Sequence, residues 1–68
     1  MAATFKMIEL IGVSNKSYED ATANAVKEAS KTIHDMAWFE VVEQRGKIQD
    51  GAVVEFQIKL KVAFKLVR

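Results

Sequence analysis

The strongest pattern in the chain lies near its end, where Val54, Phe56, Ile58, Leu60, Val62, Phe64 and Leu66 are apolar and Glu55, Gln57, Lys59, Lys61 and Lys65 stand between them. Alternation with period two sends the two sets to opposite faces of a β-strand. Ala37 to Ile48 has similar β-branched and aromatic content, and Gln49-Asp50-Gly51 separates it from the run that starts at Ala52. The two together predict one long hairpin around an Asp-Gly turn. Thr4 to Ile11 predicts a first strand, and Gly12-Val13-Ser14-Asn15 reads as the turn that closes it. Ser17 then suits a helix N-cap, with Glu19 and Asp20 in the first turn facing the positive end of the helix dipole. The helix is expected from about Tyr18 to Ile33, with Thr22, Ala25, Val26, Ala29 and Ile33 on its apolar stripe and Lys27, Glu28 and Lys31 off it. Its small side chains imply close approach to a sheet.

Element lengths do not match. A strand of about 14 residues spans roughly 45 Å, against about 24 Å for a 16-residue helix. One helix therefore leaves part of the Phe56, Ile58, Leu60, Val62 and Phe64 row open, and an apolar patch of that size predicts that subunits cover one another. A two-residue Asp50-Gly51 turn would set Gln49 opposite Ala52, Gln44 opposite Gln57, Glu40 opposite Lys61 and Trp38 opposite Ala63. In that register Phe39 and Val41 join Leu60 and Val62 on the helix side, and Trp38, Val42 and Gln57 take the other. A three-residue loop would invert the faces.

Composition narrows the functions. The 68 residues have neither proline nor an internal repeat, so residues 1–68 read as one domain, and their three glycines punctuate it. Domains this small usually add a disulfide, a metal or a partner subunit to a thin core. With no cysteine and one histidine, the partner subunit is the device left. Ten basic against nine acidic residues give a net charge of +1, which argues against nucleic acid as a partner. No apolar run reaches the roughly 20 residues of a membrane span, and the start lacks a secretory apolar stretch, so no membrane partner and a cytoplasmic location are expected. No catalytic serine with partners, thiol, phosphate-cradling glycine loop or isolated carboxylate pair is evident, so no catalytic residue is assigned, and binding is favoured over turnover.

Four places carry candidate chemistry. Trp38, the only indole, is expected on the sheet face away from the helix beside the small Ala63, where it would either stack on a flat ligand or anchor a neighbouring subunit. The Gln57 amide both donates and accepts, which suits the edge of a mixed-polarity heterocycle or a solvated strand position. Some six strand positions, roughly 20 Å, separate Gln57 from Trp38, so a shared site would take them from different subunits. Arg45, near the hairpin tip, suits a phosphate, a carboxylate such as Glu43 or Glu55, or an exposed solubilising role. The order of elements gathers Lys6, Lys31, His34 and Lys65 at the end near Trp38, either to attract an anionic group or simply to complement the helix dipole.

The segments Lys6 to Ser14 (KMIELIGVS), Ala29 to Ile33 (ASKTI), Trp38 to Ile48 (WFEVVEQRGKI) and Glu55 to Leu66 (EFQIKLKVAFKL) resemble the dodecins, small flavin-binding proteins, over nearly the whole chain. The resemblance implies an α+β fold: a βαββ subunit whose three-stranded antiparallel sheet wraps partly around one helix, assembled into a hollow homo-dodecamer of cubic 23 symmetry. It implies flavins stacked in pairs near the three-fold axes, each sandwiched against the residue that is Trp38 here, with Gln57 bonded to the polar edge of the ring. Arg45 matches bacterial-type members, which implies FMN in preference to riboflavin. Some bacterial members carry coenzyme A, for which the Lys6, Lys31, His34 and Lys65 end is the candidate. The implied role is storage, buffering or sequestration of flavin, with its photochemistry quenched by the stacked indole and no turnover. Two other classes compete with it, an oligomeric interaction module without flavin and a small flavin-dependent reductase; the second lacks any dinucleotide fingerprint.

Overall fold

The computed structural model describes residues 2–66. Strand β1 (Phe5–Ser14) is followed by helix α1 (Tyr18–Ala29) and the hairpin of β2 (Met36–Gln49) and β3 (Ala52–Lys65). The three strands form one antiparallel sheet in the order β1-β3-β2, which puts the strongly alternating strand at its centre. The hairpin closes at Asp50 and Gly51 with φ of 53° and 78°, the left-handed pair that a tight two-residue turn needs.

Strand β1 runs three residues past the expected Ile11. Gly12, Val13 and Ser14 pair with Ile58, Gln57 and Phe56 and form no turn. Gly12 is there for packing, because a Cβ at that position would lie 2.1 Å from the Ala21 carbonyl oxygen, so the bare backbone lets α1 seat directly on β1. The helix starts where expected, with Ser17 Oγ accepting from the Asp20 amide at 2.9 Å. Ser14 Oγ, buried at the end of β1, donates to Asp20 Oδ2 at 2.6 Å and so ties strand to helix.

The helix ends at Ala29, short of the expected Ile33. Ser30 Oγ donates to the Lys27 carbonyl oxygen at 2.6 Å, in competition with the helical ladder. The Lys31 amide bonds three residues back to Glu28, a tightened last turn, and Asp35 at φ 61° redirects the chain into β2. The buried stripe is Ala21, Ala25 and Ala29 at four-residue spacing, with Val26 and Tyr18 flanking; Ala21 belongs to it where Thr22 had been expected. Thr22 instead donates its hydroxyl to the Tyr18 carbonyl.

Ala21 and Ala25 pack on Ile58, Leu60 and Val62, and Ile8, Leu10 and Met36 border this core. The helix lies over β1 and β3, so the β3 row is largely buried, and the Tyr18 ring covers Phe56 edge-on at 5.0 Å. The open apolar surface is therefore on β2, at Phe39, Val41 and Val42, rather than along the β3 row as the length argument expected. The molecule measures 53 × 20 × 13 Å, and its hairpin outruns the helix at the tip, where Ile48 is 74% exposed. No helix among the described residues is long and apolar enough to cross a membrane.

Candidate functional site

Register decides which side chains meet. The expected pairs Gln49 with Ala52, Glu40 with Lys61 and Trp38 with Ala63 are all present, but Gln57 faces Arg45, and Gln44 faces Ile58. Two bulges account for the difference. One leaves Val54 as an extra residue on β3, and the second leaves Val42 as an extra residue on β2, after which the ladder returns to its first register. Before Val42 the even positions Trp38 and Glu40 share a face with Ala63 and Lys61; beyond it the odd positions Glu43, Arg45 and Lys47 take that face opposite Lys59, Gln57 and Glu55. The bulge thereby brings Arg45 to the face of Gln57.

Trp38 occupies the face away from the helix, as expected, and is 48% exposed. Its direct partner Ala63 is fully buried, and across Ala63 the Phe5 ring of β1 meets the indole at 4.8 Å with a 55° tilt. Strands β1 and β2 are separated by two strand spacings, about 9.6 Å, so two large rings can touch only over a small residue on the strand between them. Ala63 provides that gap, and Phe5 fixes one flank of the indole while the other stays open. Sequence reasoning missed Phe5, because no local turn sets the β1–β3 register.

Toward the hairpin tip the same face carries a chain of hydrogen bonds. Arg45 donates through Nη1 to Glu43 Oε1 at 2.9 Å and through Nε to Gln57 Oε1 at 2.8 Å, and Gln57 Nε2 donates to Glu55 Oε1 at 2.7 Å. Arg45 thus pairs with Glu43 among the partners the sequence offered. Gln57 lies six residues from Ala63 on β3, which keeps it roughly 20 Å from Trp38 within one subunit. The structure does not bring Trp38 and Gln57 together in one copy.

The four cations lie at the opposite end of the hairpin from Arg45, but not as one cluster. Lys6 pairs with Phe64 and Lys65 with Phe5, adjacent rungs whose side chains leave opposite faces of the sheet. Lys31, past the end of α1, bonds Glu28 at 3.0 Å, and His34 lies in the segment leading into β2. Among the described residues no three His, Asp or Glu side chains gather as a metal cage.

Residues 4–67 match the family model described as Dodecin. The chain is 41% identical over 66 residues to a dodecin of Thermus thermophilus, covering 97% of this chain and 96% of the relative. It is 34% identical over 64 residues to a Mycobacterium tuberculosis protein called calcium dodecin, covering 94% of this chain and 90% of that one. Its structure superposes on a Streptomyces davaonensis dodecin with a TM-score of 0.95 at 35% identity, covering all of both chains. Nearly full-length agreement in sequence, element order and sheet topology assigns the chain to the dodecins, a family of small flavin-binding proteins.

Proposed function

We propose that this protein is a non-catalytic FMN carrier, which stores, buffers or sequesters the flavin within a cytoplasmic homo-dodecamer. The observation that carries the reading is Trp38: half exposed on an open face, backed by Phe5, with a small residue beneath it. A tricyclic flavin needs a flat apolar surface and a few polar groups along one edge. Trp38 would supply the first and Gln57 the second, and their separation supports a site to which different subunits contribute them. The exposed Phe39, Val41 and Val42 supply apolar surface for subunit contacts. Bound flavin brings a redox-active chromophore, whose excited state the stacked indole quenches by electron transfer. Arg45, whose side chain is half exposed, supports FMN over riboflavin through attraction of its guanidinium for phosphate. For coenzyme A the candidate contacts are Lys65, on the Trp38 face, with Lys6, Lys31 and His34 at the same end.

The test is titration of FMN fluorescence with the intact protein, combined with a mass measurement of the assembly. Strong quenching that reverses on denaturation, at the mass of twelve chains, is expected. A colourless oligomer in excess FMN would favour an interaction module in which Trp38 is an interface anchor. Sustained oxidation of NADH by the FMN-loaded protein would overturn the non-catalytic reading.

A further inference from the structure

The chain Glu43–Arg45–Gln57–Glu55 has a direction. A guanidinium only donates hydrogen bonds and a carboxylate only accepts them. With Arg45 Nε 2.8 Å from one end of the Gln57 amide and Glu55 Oε1 2.7 Å from the other, one amide orientation satisfies both contacts: oxygen toward Arg45, nitrogen toward Glu55. A flip would set donor against donor and acceptor against acceptor. Each end then keeps spare capacity, one lone pair on Oε1 and one N–H on Nε2.

We infer that Arg45 and Glu55 are positioning residues which act through Gln57, fixing the polarity with which its amide meets the edge of the ligand. The inference rests on the flavin reading above. The ring edge of a flavin presents an N3–H donor beside carbonyl acceptors, so an amide of fixed polarity offers it an acceptor and a donor in a set order. Arg45 is held in turn by Glu43, on the face to which the Val42 bulge delivers it. Without Glu55 the amide loses the acceptor that holds its nitrogen and keeps only the Arg45 contact; without both it is free to turn, and half of its orientations then oppose the ligand.

The experiment compares riboflavin with 3-methylriboflavin, neither of which carries a phosphate, by fluorescence quenching with the assembled wild type, with Glu55→Met and Arg45→Met, and with the double variant. The wild type should bind riboflavin about three- to tenfold more tightly than its N3-methyl analogue, the worth of one hydrogen bond. Each single variant should lower that ratio, and the double variant should bring it close to one. A merely structural role for Glu55 would weaken both flavins alike and leave the ratio intact, which would overturn the inference. Equal affinity of the wild type for the two flavins would do the same. Arg45→Met interrupts the chain from its other end, so the ratio stays measurable should Glu55→Met fail to assemble. Absence of quenching by the wild type with either flavin would overturn the flavin reading itself, an outcome separate from an unchanged ratio.

Discussion

Gly12→Ala should be among the most damaging single-methyl additions in this protein. The new Cβ would lie 2.1 Å from the Ala21 carbonyl oxygen and 2.9 Å from Ala25 Cβ, where ordinary contact begins at 3.4 Å. Both obstacles belong to the helix body, so relief requires α1 to lift from β1 by about 1.3 Å, the shortfall at the nearer atom. A gap of about 1 Å already forfeits up to half of the attraction between packed atoms. The surface loosened is the seat of Ala21 and Ala25 on Ile58, Leu60 and Val62, the centre of the core. The expected cost is about 3 kcal/mol, the upper end of the usual range for overpacking. With an m-value of about 1 kcal/mol/M for a small domain, the urea midpoint should fall by about 3 M. The assay is far-UV circular dichroism at fixed subunit concentration, because assembly makes the midpoint depend on concentration. Gly51→Ala is the control. Its site has no atom within 4 Å but a φ of 78°, so it carries only backbone strain, about 1 kcal/mol. A Gly12→Ala protein within about 0.5 kcal/mol of wild type, or more stable than Gly51→Ala, would refute the close seating of helix on strand.

Trp38→Ala should weaken flavin binding roughly 5- to 150-fold, since one stacking face contributes about 1 to 3 kcal/mol; fluorescence titration reads it, and unchanged affinity would contradict the site. Phe5→Ala removes the ring 4.8 Å from the indole and should weaken flavin by about fivefold through loss of an aromatic contact, with an altered near-UV signal from Trp38 before ligand is added. Ser17→Ala deletes the acceptor of the Asp20 amide and should cost about 1 kcal/mol in urea unfolding, with flavin affinity per folded subunit retained.

The parts of the fold legible in the sequence were those encoded locally. Asp50-Gly51 dictates its own turn, the alternation of β3 fixes its two faces, and Ser17 with its acidic neighbours marks the helix start. Local signals misled where one residue type serves two purposes. Gly12 looked like a turn and is a seat for the helix, and Ser30 looked like helix interior and ends it. The hairpin register was correct beside the turn and again from Trp38 to Val41 but one residue out between them, because the opposed bulges at Val54 and Val42 cancel. Trp38, Gln57 and Arg45 stood out by chemistry alone. Their partners did not: Phe5 reaches Trp38 through the β1–β3 pairing, and the contact of Arg45 with Gln57 exists only beyond the Val42 bulge.

That extra valine has a consequence for how the site can vary. Deleting Val42 alone would restore strict alternation along β2 and leave Glu43 opposite Lys59 and Arg45 opposite Gln57, because the bulged residue is the one without a partner. The cation beside Gln57 would stay where it is although the hairpin had lost a residue. Loss of the single codon for the bulged residue is therefore absorbed in place, and relatives of this chain whose second strand lacks that one residue should present the same charge beside the amide.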